Sequence, residues 1–576
     1  MIATNALQNM RKPITFGITI FIKCFPNPTI CRRIVTTTTL PPADAAAAAV
    51  EGNIVDIHNG EIYPGVVIMD DQGRIADIRR KQESSLSCNH RFILPGFVDA
   101  HVHVESSLLI PSEFARLAVR HGTVATLSDP HEIANVCGMD GIRFMLENAS
   151  KVPFHFYFGA PSCVPATPYE TAGAVVSTRD IQNLFLDPRI AYLAEMMNWS
   201  GVLQKDPIVL SKLQAARDAR RPIDGHAPGL RGQSVQDYAA HGISTDHECF
   251  TLDEAHDKLA AGMKVQIREG SAARNFDALH PIIGTHADRV MFCCDDTHPD
   301  LLEQRHIDHH VRRSIQLGYD MFQVLRIASK NPIEHYGMDV GLLRSGDSAD
   351  FIVVDNLVDF HVYETWIKGR MVAQNKKCLF PGVGPIKNPI NHFVRRDISQ
   401  ADLAVEHSFG DLVRAIVPRD GELVTGEEHL DPADPDVLKI VVINRYEDKP
   451  PAVAYIKGFG LHTGALASTV AHDSHNLVAV GCSDRDIVDA VNALIKVKGG
   501  LSVAANSRVE VLPLPIAGLM SDKEASWIAH EYSHIDQRAK EYGSCLRAPF
   551  MYVNCIVLTS SLCISLNNMM SYRFFS

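Results

Sequence analysis

The sequence predicts an α/β protein built on a (β/α)8 TIM-like barrel, with a small β-sandwich domain drawn from both flanks and an additional C-terminal α+β domain. Three observations carry that prediction. Between residues 93 and 340, short apolar runs alternate with helical patterns, the signature of βα units around a parallel sheet. Two turn-punctuated stretches, 51–92 and 341–384, bracket that segment and alternate apolar with polar residues. From 385 to 550 the barrel pattern gives way to mixed helices and strands, such as "DRDIVDAVNALIKV" and "LKIVVINRY".

In chain order, residues 1–50 stand apart. Arg11, Lys12, Lys23, Arg32 and Arg33 precede the first acid, Asp44, among Thr and Ala, which reads either as an organelle transit peptide or as a disordered extension. The apolar patch from Ile14 to Ile22 is too short to span a bilayer. In "NIVDIHNGEIYPGVVIMDDQGRIADI" turns are predicted at Asn59-Gly60, Pro64-Gly65 and Gln72-Gly73. The related stretch "GLLRSGDSADFIVVDNLVDFHVYETWIKGRMV" is expected to complete the same sheet from the far side of the barrel. Candidate barrel strands end near His103, Asp129, Gly159, Met197, His226, His247, Arg268 and Asp295, the eight needed for closure. An open doubly wound sheet is the alternative, but no GxGxxG follows the first strand. The last segment, 551–576, is an atypical tail: Ala548 to Tyr572 carries no charge, and its Ser and Asn residues argue against a membrane anchor.

Composition narrows the function. A net charge of -12 offers no basic footprint for nucleic acid, and a small-molecule substrate fits better. The 13 cysteines contain no CxxC pair, so neither a disulfide framework nor a cysteine zinc site is indicated. A reducing compartment follows, the cytoplasm, or an organelle if the extension is a transit peptide.

The stretch "LPGFVDAHVHVESSLL" sets two histidines at the end of an apolar strand. Side chains alternate along a strand, so His101 and His103 point the same way. Alone, that pair is weak evidence for a metal. Four more predicted strand ends finish in Glu195, His226, His247 and Asp295, and in a barrel such ends converge on one mouth. Four histidines and two carboxylates suit two divalent first-row ions (Mn, Fe or Zn), with Glu195 as the bridging group.

These residues and the words around them resemble the bacterial-type adenine deaminases of the amidohydrolase superfamily. The words are "DAHVHVESSLL", "SDPHEIANVCG", "AEMMNW", "DGHAPGLRG", "STDHE", "IREGSAARN", "DDTHPDLL" and "KNPIEHYGMDVGLLRSGDSADFIVVD", continued by "IKGFGLHTGALASTVAHDSHNLVAVG" and "LPLPIAGLMSD". The likeness runs from about residue 51 to 550 and stops at both ends. It implies metal-dependent hydrolysis of adenine to hypoxanthine and ammonia by a homo-oligomer, a dimer, without nucleic-acid or membrane partners. It also implies Asp295 as proton shuttle with Glu195, Asp296 being the adjacent alternative for the shuttle. Another amidohydrolase reaction, on a cyclic amide or an acetylated amino sugar, and a non-catalytic assembly protein are the competing readings; the latter predicts missing ligands.

Glu105, Ser106, Asp129, His131 and Glu132, beyond strands one and two, are candidates for meeting the purine, as are Arg268, Glu269 and Ser271 after strand seven. For Asp129 to Glu132 the competing reading is a capped helix start. "AHDSHN" (His472, Asp473, His475) reads as a metal site, a hydrogen-bonded loop, or a loop closing over the mouth. "HIDHH" (306–310) is expected to be structural or exposed, and the glycosylation-like "NWS" at Asn198 a chance match.

Overall fold

The computed structural model describes residues 48–81, 91–167, 171–271, 273–405, 412–417 and 426–555. The expectations for residues 1–47 and 556–576 lie outside them. Among the described residues, no helix is long and apolar enough to cross a membrane.

The predicted barrel is present. Its strands are β1 (Phe97–Val102), β2 (Thr123–Ser128), β3 (His155–Ala160), β4 (Ile190–Met196), β5 (Ile223–Gly225), β6 (Thr245–Asp246), β7 (Lys264–Arg268) and β8 (Val290–Cys293). Every neighbouring pair in β1–β5 and in β6–β8 is parallel. Two parallel bridges, Ile223 with Ile243 and Val102 with Asp295, close the ring. β1, β2, β4 and β8 are buried along their whole length, which is why they read as apolar runs: the barrel fills one face and the outer helices cover the other. The second bridge matters most for the site. Asp295 donates its amide to His101 O at 2.9 Å, and His103 donates to Asp295 O at 3.3 Å, so the seam of the barrel fixes those three residues together.

The flanks combine in one eight-stranded sheet. Phe92–Pro95 is its hinge: it pairs in parallel with Ala49–Asp56 and antiparallel with Phe351–Val354. Alternation then divides the side chains. Ile54, Val67, Ile93, Phe351 and Val353 pack into a core of their own, whereas Val55, Leu94, Ile352 and Val354 join the barrel's core. Pro64-Gly65 is not a turn. It lies inside the strand Glu61–Met69 with Gly65 opposite Gly52, and a Cβ on Gly65 would come within 2.8 Å of Ile54 Cγ1. The residue that looked like punctuation is there for close strand approach.

The C-terminal region is a second eight-stranded sheet with helices Asp484–Val497 and Ala525–Glu541 against it. It docks on the barrel mouth through two backbone bonds and one to a side-chain carboxylate. Ser521 donates to Leu108 O at 2.8 Å and accepts from Ile110 N at 3.3 Å, and Glu113 accepts from Ala525 N at 3.1 Å. The sequence just past His101 and His103 is therefore pinned by the far end of the chain.

Candidate metal centre and substrate pocket

All six residues expected at the strand ends meet in one cluster, buried except for His226 at its rim. His101 Nε2 lies 3.2 Å from His103 Nε2, and the two are 3.4 and 3.1 Å from Asp295 Oδ1. Glu195 reaches across the mouth. Its Oε2 is 2.8 Å from His226 Nδ1 and 3.2 Å from His247 Nε2, and its Oε1 is 3.5 Å from His103 Nε2. The rings of His101 and His247 stack at 4.0 Å. Asp295 sits just beyond β8 with φ +54°, a left-handed turn that Asp tolerates better than most residues and that ends the strand here.

Two overlapping triplets, His101–His247–Asp295 and Glu195–His226–His247, have ligand atoms close enough to share an ion, and imidazole with carboxylate is a donor set that first-row cations accept. The cluster fits a divalent metal centre. Its electrostatics agree. Burial opposes ionisation of Asp295, yet the Arg268 guanidinium and the His101 and His103 donors hold its carboxyl well below the usual range. Glu195 is likewise held low against burial by His226 and His247. Burial works against a charge on His103 and His247 too, but the carboxylates push both well up. Protons thus balance the buried anions, and such protons are what a binding cation displaces.

The other expected residues surround this cluster. Asp129 Oδ1 accepts from His131 N at 3.0 Å just before helix His131–Ala149, whose N-cap is Pro130 without a side-chain cap bond. Asp129 Oδ2 is 3.1 Å from His131 Nδ1, which is itself 3.6 Å from Glu195 Oε1, and this brings the pair up to the metal cluster. His131 is pushed up to about 10: burial opposes the charge, and Asp129 outweighs it. Ser106 Oγ contacts two acids, Glu132 Oε1 at 2.7 Å and Asp296 Oδ1 at 2.6 Å. One hydroxyl carries one proton, so an acid must supply the other. Glu132, raised by burial, is the suitable one. Glu105 accepts from Ile133 N at 3.3 Å and is pushed up to about 8 by burial and by Glu132.

Arg268 is buried, with Nη1 on Asp295 Oδ2 and 2.5 Å from Glu248 Oε1. Glu269 faces outward to Arg313 Nη1 at 3.0 Å, and Ser271 accepts from His298 N at 2.8 Å. Sequence reading missed Glu248, whose Oε1 is 3.4 Å from His247 Nε2 and 3.6 Å from His226 Nδ1. The signal was the word "STDHE" itself. Of the "HIDHH" histidines, His306 and His310 are buried, His306 Nε2 lying 2.9 Å from Asp99 Oδ2. Asn198 caps the short helix Trp199–Leu203.

A model of the amidohydrolase family matches residues 92–372, and one of the adenine deaminase C-terminal domain matches residues 417–567. The chain is 52% identical over 513 residues to the adenine deaminase of Sulfurovum sp. strain NBC37-1, covering 88% of this chain and 94% of that protein. It is 50% identical to the adenine deaminase of Salinibacter ruber, covering 89% and 95%, and 48% identical to that of Methanosarcina mazei, covering 87% and 93%. The chain belongs to the adenine deaminase family. Membership makes it a hydrolase and spans both the barrel and the C-terminal region, so the docking of the two regions involves both parts that define the family.

Proposed function

We propose that this chain hydrolyses adenine at C6, giving hypoxanthine and ammonia, at a centre of two divalent cations held by His101, His103, Glu195, His226, His247 and Asp295. The observation that carries the reading is the convergence of those six side chains, five buried and His226 half-buried, at one barrel mouth in a chain about half identical to named adenine deaminases. When bound, the cations supply hydroxide near neutral pH by acidifying a water. Asp295, fixed to the barrel seam and ionised beside Arg268, takes up the proton of the attacking water and delivers it to the departing amine. Asp296 is directed instead at Ser106, which favours Asp295 as the shuttle. Glu195 bridges the two halves of the cluster, and Glu105 and Glu132, raised by burial, offer acid protons to the ring nitrogens as they gain electron density.

The test is ammonia release from adenine, adenosine and a cyclic amide by protein stripped of metal and reloaded with Mn, Fe or Zn. Release from adenine alone is the expected result. No release from adenine with any of the three metals overturns the proposal, and turnover of the cyclic amide instead moves the chain to another reaction.

A further inference from the structure

The loop between the C-terminal strands Ala465–Ser468 and Leu477–Gly481 enters the barrel mouth. His472, Asp473, Ser474, His475 and Asn476 are all buried. His472 Nδ1 is 3.2 Å from Glu132 Oε1, and its Nε2 is 4.0 Å from Asp296 Oδ1. Asp473 Oδ1 is 3.9 Å from His131 Nε2. Groups from behind β1, β2 and β8 and from the C-terminal sheet thus share one small volume beside the metal cluster.

Several polar atoms there are buried with no hydrogen-bond partner: Glu105 Oε2, Glu132 Oε2, His131 Nε2, His472 Nε2 and Asp473 Oδ2. A buried polar atom without a partner is unfavourable, and these five share one place beside the metal cluster, where a polar ligand would complete them. The loop that brings two of them is firmly held. Arg445 is fully buried and spends its guanidinium on carbonyls and an amide: His475 O at 3.2 Å, Ala517 O at 2.7 Å, His392 O at 3.2 Å and Asn391 Oδ1 at 2.6 Å. Gly518 makes room for it, with φ +70° and a hypothetical Cβ only 2.8 Å from Arg445 Nη1. Tyr446 Oη adds a bond to Ser474 O at 2.7 Å, and His472 N donates to Asn554 O at 2.9 Å.

We propose that His472 and Asp473 are specificity-determining residues that read the edge of the purine remote from C6, His472 Nε2 donating to N3 and Asp473 accepting from N9–H. The inference rests on adenine being the substrate. With C6 held at the metal cluster, the far edge of the ring presents an acceptor beside a donor, the complement of an imidazole N–H and a carboxylate. A substituent on N9 removes the donor and meets the buried loop, so the same pair rejects nucleosides.

The experiment compares wild type with His472→Phe, His472→Gln and Asp473→Asn, each checked for metal content and thermal midpoint. Kinetics are then measured on adenine, 3-deazaadenine and 9-methyladenine. In His472→Phe, kcat/KM for adenine falls roughly 30-fold, mostly through KM, the loss of one hydrogen bond to a polar site. The wild-type preference for adenine over 3-deazaadenine shrinks to within about threefold, and His472→Gln, which keeps a donor, restores part of it. Asp473→Asn relaxes the discrimination against 9-methyladenine and stands as an independent variant should His472→Phe not fold. Metal-replete His472 and Asp473 variants that keep the wild-type preferences overturn the proposal. Wild type inactive on adenine overturns the substrate reading instead, so the two failures are distinct.

Discussion

The barrel mouth is built in two ways. On one side stand His101, His103, Glu195, His226, His247 and Asp295, carried by strand ends whose positions are fixed by parallel ladders and by the seam between Val102 and Asp295. On the other stand His472 and Asp473, carried by a loop that one buried arginine ties down by its backbone. Strand ends suit groups whose mutual distances must hold to a fraction of an ångström around an ion. A loop from another sheet suits groups that meet a variable organic edge, since it can change without disturbing the barrel.

The largest effect that sharpens this division comes from the strand side. Glu195→Gln is expected to cut kcat by at least roughly a thousandfold, since it removes the bridging charge, and His101→Ala to do the same with loss of bound metal. Metal analysis together with circular dichroism checks that the chain stays folded. Next is the anchor of the loop. Arg445→Met is expected to lower kcat/KM about a hundredfold while metal content is unchanged, because a misplacement near 1 Å costs about that much. Loss of metal in that variant breaks the division, since the loop would then be supporting the strand side.

A smaller effect is expected at Glu248. Glu248→Gln leaves Arg268 leaning on Asp295 alone, and weakens metal retention about tenfold to a hundredfold, read by equilibrium dialysis. The last concerns stability alone and lies away from the mouth. Burial pushes the His121 imidazole down to about 4, with Asp308, 3.9 Å away, opposing only in part. Its unfolded value is about 6.5, so the unfolded chain takes the proton first as pH falls. That contribution is whole above pH 6.5 and is lost between 6.5 and 4, up to about 3 kcal/mol. His121→Gln is expected to flatten the fall of the thermal midpoint across that interval; an unchanged slope would falsify the assignment.

The strand side was legible because two periodicities write it into the chain. Apolar runs announce eight strands, and polar residues at or just past the end of five of those runs, on strands one, four, five, six and eight, are the ones that meet at the mouth. Glu248 escaped the same logic for a physical reason. β6 ends at Asp246, so His247 and Glu248 lie beyond the pleat, and neighbours that a strand would send to opposite faces instead reach the same imidazoles. Pro64-Gly65 misled because glycine has two uses, turning a chain and letting strands touch, and local sequence does not separate them. The loop at 472–476 was visible as a word but not as a neighbour of Glu132, from which about 340 residues separate it. Convergence of that kind depends on how Ser521 and Ala525 dock behind Leu108 and Glu113.

The strand Phe92–Pro95 adds a constraint on how the molecule is made. Its two neighbours in the flank sheet, Ala49–Asp56 and Phe351–Val354, lie on opposite sides of the barrel in the chain. During synthesis the first half of that sheet emerges early, and the partner for its open edge follows about 250 residues later, roughly 10–50 s at ordinary ribosomal rates. Over that interval an apolar edge stays exposed, a template for pairing with other nascent chains. A fragment ending near residue 340 keeps every barrel strand yet never covers the edge, and should aggregate where the full chain stays dispersed. The sheet works as a clasp that shuts only after the barrel has been threaded through it.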